Sequence, residues 1–89
     1  MIRREVKIQN LSGLHLRPAA ILCNKAMEYK CNVSFDYAGG VGNANAKSVL
    51  SVLGACVRCG DTIELICDGD DEEDAMHALV ESINSGLGE

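Results

Sequence analysis

The only proline in the chain, Pro18, fixes where the first helix begins. Proline has no backbone N–H and a φ that is already helical, so it is best tolerated in the first turn, where the amides have no carbonyl partner within the helix. Gly13, just upstream, gives the backbone the freedom to turn before that point. Downstream, apolar residues recur at spacings of three and four, which predicts a helix over about 16–29 with Met27 as core filler on its buried face.

His15 stands at the start of this predicted helix, where unpaired amides carry a partial positive charge and attract anions. Arg17 adds a planar guanidinium that suits phosphate, and an imidazole that is partly uncharged near neutral pH is a competent nucleophile. The pattern therefore predicts that His15 accepts a phosphoryl group whose oxygens bind the amides near Leu16 and Arg17. Pro18 would set the first turn around that group. The alternative is that His15 is an ordinary helix-entry residue.

Three stretches alternate between apolar and polar residues, as strands with one buried face do. They cover 2–8, 31–37 and 62–67, and residues 41–44 can form a short additional strand. Arg4 interrupts the apolar side of the first stretch, which places that strand near a sheet edge. The run Ala38-Gly39-Gly40 predicts a turn between the second and third strands, because glycines mark turns. The run lacks the Lys-Ser pattern of a phosphate-binding glycine loop, which argues against that alternative.

Two further stretches are predicted to be helical. A short amphipathic helix over 49–53 begins after Ser48, which caps it, and exposes part of its apolar surface. A last helix follows the acidic run 68–74 and is ended by Gly86. Carboxylates at a helix N-terminus favour its dipole, and the run lacks the ligand spacing of a calcium loop, so we interpret it as helix capping. His77 is expected on the solvent side of this helix.

Composition narrows the classes of function that the chain can have. Its 89 residues predict one domain, 1–89, with a modest two-layer core. The net charge of −5 and the lack of tryptophan argue against nucleic acid as a partner. No apolar run approaches the roughly 18 residues of a membrane span, and no signal-peptide pattern is present. We therefore expect no membrane insertion and a cytoplasmic location.

The five cysteines are odd in number and irregular in spacing, as a reduced intracellular protein tolerates. Only Cys56 and Cys59 have the spacing of a redox or metal-binding pair. A tetrahedral zinc site needs two further ligands from elsewhere, so we expect no metal site and no cofactor. A small redox or metal protein built on this pair stays an alternative, which thiol titration and metal analysis would distinguish.

The stretch Gly13-Leu14-His15-Leu16-Arg17-Pro18-Ala19 is similar to the active-site signature of the HPr family, the histidine-containing phosphocarriers of the bacterial phosphoenolpyruvate-dependent sugar phosphotransferase system (PTS). The resemblance extends through residues 45–50 (NAKSVL), the Arg58/Gly60-Asp61 turn and Gly69-Asp70 to residues 86–89 (GLGE). It implies an α+β fold, the HPr-like open-faced two-layer sandwich, with a four-stranded antiparallel sheet and three helices on one face. The order β-α-β-β-α-β-α follows from the periodicities as well.

The resemblance implies a carrier rather than an enzyme. His15 would take a phosphoryl group from enzyme I and pass it to enzyme II A components in sugar transport, with Arg17 stabilising the charge. Ser48 would be a regulatory site for a serine kinase/phosphorylase, and the protein would be a monomer. The implied partner surface comprises Leu16, Ala20, Val49, Leu50 and Leu53.

Leu16 departs from the smaller residue that the family often carries there, and it enlarges the apolar rim of the site. The alternative function is a regulatory protein-binding module of the HPr fold that acts through the Ser48 helix surface without a transport role. Family members of that kind lack the active histidine, whereas this chain has His15.

Overall fold

Four strands form one antiparallel sheet, and three α-helices cover one of its faces, in the computed structural model, which describes residues 1–89. The elements are β1 (Ile2–Lys7), α1 (Leu16–Met27), β2 (Asn32–Tyr37), β3 (Gly42–Asn45), α2 (Val49–Gly54), β4 (Thr62–Asp68) and α3 (Glu72–Asn84), with one 3-10 turn over Ala38–Gly40. The predicted fold class and element order are confirmed. None of the helices combines the length and the hydropathy that a membrane-spanning segment needs.

The strands lie in the order β1-β4-β2-β3, so the first strand pairs only with the fourth. Ile2 faces Cys67 and Lys7 faces Thr62 across that pair. The alternation predicted for β2 and β4 is confirmed, because their inward side chains are fully buried beneath the helices. These residues are Val33, Phe35, Ile63, Leu65 and Cys67. On the open face, Arg3 bridges two carboxylates, Glu64 at 2.9 Å and Asp36 at 3.5 Å.

Helix α1 ends earlier than the apolar spacing predicts, and the prediction that Met27 is core filler is wrong. The buried stripe of α1 runs along Pro18, Ala19, Leu22, Cys23 and Ala26. Met27 follows on the adjacent, solvent-facing side and is 62% exposed. The amide of Glu28 then donates to the Lys25 carbonyl at 3.2 Å, a tighter turn that ends the regular helix.

The starts of the two later helices are built differently. At α2 the Ser48 hydroxyl accepts a hydrogen bond from the Ser51 amide at 3.3 Å, which confirms the predicted cap. At α3 the Asp71 carboxylate makes no cap bond and instead accepts the amides of Lys30 at 2.8 Å and Cys31 at 2.9 Å. These bonds hold the pKa of Asp71 below its usual range. Helix capping alone is therefore an incomplete account of the acidic run, since Asp71 ties α3 to the start of β2.

Candidate functional site

His15 is the N-cap residue of α1, with extended backbone angles of φ −80° and ψ −174°. Its carbonyl accepts the Ala19 amide at 2.8 Å, which is the first hydrogen bond of the helix. Its side chain is exposed and makes no capping hydrogen bond. The imidazole is therefore free to react with a group brought from outside the chain.

Two free amides and a guanidinium lie in the first turn of α1, next to His15. The N–H groups of Leu16 and Arg17 have no acceptor within the chain, and Pro18 has no N–H at all. The Arg17 side chain is exposed and forms no salt bridge. Donors at a helix N-terminus next to an unpaired guanidinium are a chemically suitable cradle for phosphate oxygens.

The loop before His15 rests on the segment that precedes β4. Leu14 is buried, and its amide donates to the Val57 carbonyl at 2.9 Å. Gly13 has a φ of +63°, and a Cβ at this position would lie 2.5 Å from the Val57 oxygen and 2.7 Å from the Arg58 Cα. Only glycine fits here, because both the backbone angle and the close approach exclude a side chain. This packing fixes the chain that leads into His15.

A carboxylate that the sequence analysis did not single out binds the same loop through three hydrogen bonds. Glu89 Oε1 accepts the Ser12 amide and the Asn10 side-chain amide, both at 3.2 Å, and its Oε2 accepts the Ser12 hydroxyl. Asn10 is buried and also donates to the Gly13 carbonyl at 2.7 Å. The hydrogen bonds from Ser12 are the main cause of a lowered pKa at Glu89, and the charge of Arg17 contributes. The signal for this arrangement in the sequence is the Gly-Leu-Gly run at 86–88.

The residues of the predicted partner surface lie on α1 and α2, which pack against each other. Leu16 is 61% exposed and Leu50 is 83% exposed, whereas the remaining members are half-buried. Those members are Ala20, Val49 and Leu53. Ser48 is half-buried at the start of α2, and its neighbour Lys47 donates to the Tyr29 carbonyl at 2.7 Å, which ties the start of α2 to the end of α1.

The five cysteines are all free thiols in two environments. Cys56 and Cys59 are exposed, and the Cys59 thiol lies 3.5 Å from the Gln9 carbonyl. The other three are buried, and burial together with the neighbouring Cys31 raises the pKa of Cys67 to about 11. No group of three or more His, Cys, Asp or Glu side chains converges in a way that could hold a metal ion.

Known proteins of one family resemble this chain throughout. A family model described as the PTS HPr component phosphorylation site matches residues 2–85. The multiphosphoryl transfer protein of Vibrio cholerae serotype O1 is 37% identical over 84 residues, which are 93% of this chain and 21% of that protein, so the chain spans only a small part of that relative. The HPr-like protein Crh of Halalkalibacterium halodurans is 32% identical over 80 residues, covering 90% of this chain and 93% of that protein. The crystal structure of HPr-C-His from Thermoanaerobacter tengcongensis has a TM-score of 0.94 at 35% identity, covering 100% of this chain and 98% of that one.

Proposed function

This chain belongs to the HPr family, the phosphocarriers of the phosphotransferase system, and from that premise we propose that His15 accepts a phosphoryl group from enzyme I and passes it to enzyme II A components. The observation that carries the proposal is the exposed imidazole of His15 beside the free amides of Leu16 and Arg17. These donors and the Arg17 guanidinium would receive the charge of the transferring group. Pro18 would keep the first turn in place around it.

The proposed step moves one phosphoryl group from an atom of the donor protein to a nitrogen atom of the His15 imidazole. A lone pair of the His15 imidazole attacks phosphorus, the bond between phosphorus and the donor breaks, and the donor leaves with the bonding electrons. The second transfer is the same step with His15 as the leaving group. The chain is thus a reactant of two enzymes and turns over no substrate of its own.

Regulation at Ser48 is the second part of the proposal. Its hydroxyl already caps α2, and a phosphate there would add about −1.5 to −2 charges at neutral pH. The exposed Leu50 lies in the same helix, in the predicted partner surface. A charge at this rim would disfavour docking of an apolar or acidic partner while leaving the fold intact. A serine kinase/phosphorylase would set that charge.

The remaining parts of the proposal concern the state of the protein. We place it in the cytoplasm as a monomer in which residues 1–89 act as one domain. Static light scattering at micromolar concentration measures its mass in solution, and a dimer would contradict this part.

The experiment that tests the carrier role uses enzyme I, phosphoenolpyruvate and intact-mass analysis. The parent should gain one phosphoryl group that is labile in acid and stable in base, as a phosphoramidate is. His15→Ala should gain none. His77→Ala is the matched control, because His77 is the only other histidine and its side chain is 83% exposed on α3. Enzyme I-dependent labelling of His15→Ala would contradict the assignment.

A further inference from the structure

The segment after α3 folds back toward the loop that precedes His15. Gly86, Leu87 and Gly88 have φ values of +96°, +49° and +87°, so the chain curls in a left-handed path. The Leu87 side chain is buried, and Gly88 packs so closely on α1 that a Cβ there would lie 2.7 Å from the Ile21 Cδ1 atom. A non-glycine residue adopts such a φ only where its surroundings demand it. This packing fixes the backbone that leads into Glu89.

The Glu89 carboxylate joins two residues of the loop 10–13. Its Oε1 atom accepts two N–H groups, from the Ser12 backbone and the Asn10 side chain, while Oε2 accepts the Ser12 hydroxyl. No other acceptor in the chain takes the Ser12 amide or hydroxyl. All hydrogen bonds that Ser12 donates therefore go to Glu89.

The loop 10–13 connects this contact to the phosphoryl site. Asn10 donates from the same side-chain nitrogen to Glu89 and to the Gly13 carbonyl, and the Leu14 amide donates to the Val57 carbonyl. Hydrogen bonds to two separate segments of the chain therefore hold the loop immediately before His15. A nucleophile reacts fastest when it is held in a reactive orientation before the encounter.

We propose that Glu89 is a positioning residue for phosphoryl acceptance, whose carboxylate holds Ser12 and Asn10 and through them orients His15. This inference rests on the proposed function, since His15 must be the acceptor. The carboxylate acts by its two hydrogen-bonding oxygens, and its negative charge is not required. A glutamine at this position keeps one acceptor oxygen for the two N–H groups, and the Ser12 hydroxyl can accept from the new amide.

The first test needs no phosphoryl group. Amide hydrogen exchange is measured by NMR in the parent, Glu89→Ala, Glu89→Gln and the control Glu73→Ala, which changes an exposed glutamate in the first turn of α3. The Ser12 amide should exchange at least about tenfold faster in Glu89→Ala, stay protected in Glu89→Gln and not change in the control. Equal exchange of Ser12 in Glu89→Ala and the parent would overturn the inference.

The second test is the kinetics of phosphorylation by enzyme I at varied concentrations of each variant. Glu89→Ala should lower kcat about tenfold and leave KM within about twofold, because Glu89 lies outside the Leu16 and Leu50 surface. Glu89→Gln should restore kcat to within about twofold of the parent. A kcat for Glu89→Ala equal to that of the parent refutes the inference alone, and so does failure of Glu89→Gln to restore it. A parent that takes no phosphoryl group refutes the proposed function itself.

Discussion

Replacing Gly13 with alanine should destabilise the protein much more than the same change at Gly39. Both glycines have a left-handed backbone, with φ of +63° and +68°, so alanine suffers the same conformational penalty at either position. Around Gly39 no atom lies within 4 Å of the added methyl group. At Gly13 the methyl would lie 2.5 Å from the Val57 oxygen and 2.7 Å from the Arg58 Cα, and both of these atoms belong to the backbone. The pair of variants isolates the cost of the close approach.

The magnitude follows from these distances. A left-handed alanine costs about 1–2 kcal/mol, and this is the whole expected loss for Gly39→Ala. At Gly13 the backbone of Val57 and Arg58 must move as well, which adds about 1–3 kcal/mol for overpacking. The Leu14 to Val57 hydrogen bond would weaken with that movement, at a cost of about 1 kcal/mol. Gly13→Ala should therefore lose roughly 2–4 kcal/mol more than Gly39→Ala.

Urea unfolding followed by far-ultraviolet circular dichroism measures both losses, with a common slope for the three proteins. In a protein of this size a difference of about 2 kcal/mol corresponds to roughly 10 °C in Tm. Phosphorylation of Gly13→Ala by enzyme I should also be slower, since the loop that leads into His15 has moved. A stability difference between Gly13→Ala and Gly39→Ala below about 0.5 kcal/mol would refute the reasoning, because relieving a backbone contact of 2.5 Å should cost more free energy than that.

Other perturbations test other parts of the molecule. Arg17→Ala should keep the acceptor but slow transfer from enzyme I about 10²-fold in rapid-quench kinetics, and an unchanged rate would show that the helix amides suffice. Ser48→Ala should lose about 1 kcal/mol of unfolding free energy through the missing cap, whereas Ser48→Asp should stay within about 1 kcal/mol of the parent and be phosphorylated more slowly at His15. The pKa of Asp71 is lowered, chiefly by the Lys30 amide, so the stability it contributes is present above the ordinary carboxyl value of about 3.9 and is lost as pH falls through its folded-state value. Asp71→Asn should therefore flatten the acid side of a curve of stability against pH, and an equally steep acid side would contradict this.

Local patterns predicted the elements that make the site, because the physical causes of those elements are local. The period-two alternation around Phe35 and Leu65 indicated which face of each strand is buried, and the cap at Ser48 needed only a short stretch of chain. The helix start after His15 followed from Pro18. Alternation does not indicate which strand lies beside which, so the pairing of β1 with β4 depends on packing between distant segments.

One wrong prediction, at Met27, and one feature without a prediction, at Glu89, both depend on contacts that the local sequence does not indicate. Met27 stands four residues after the buried Cys23, so spacing alone places it on the buried stripe. At this end of α1 the buried position is Ala26 instead, and the Met27 side chain is 62% exposed. Glu89 gains its role only because Ser12 and Asn10, at the opposite end of the chain, lie within hydrogen-bond distance. The Gly-Leu-Gly run at 86–88 indicates that the chain turns before Glu89, but it does not indicate which residues the carboxylate contacts.

The strand order makes the loop before His15 depend on segments that are synthesised much later than His15 itself. During synthesis β1 is made first, but its only neighbour in the sheet is β4, the last strand to leave the ribosome. Bringing β1 and β4 together closes a long loop, which costs conformational entropy. Because β1 has no other partner in the sheet, no earlier strand pairing offsets this cost. Val57, on which Leu14 rests, also lies just before β4. A chain in which Val57 has not yet been synthesised therefore lacks the hydrogen bond from Leu14 that holds the loop before His15, and we expect His15 to be a poorer acceptor there.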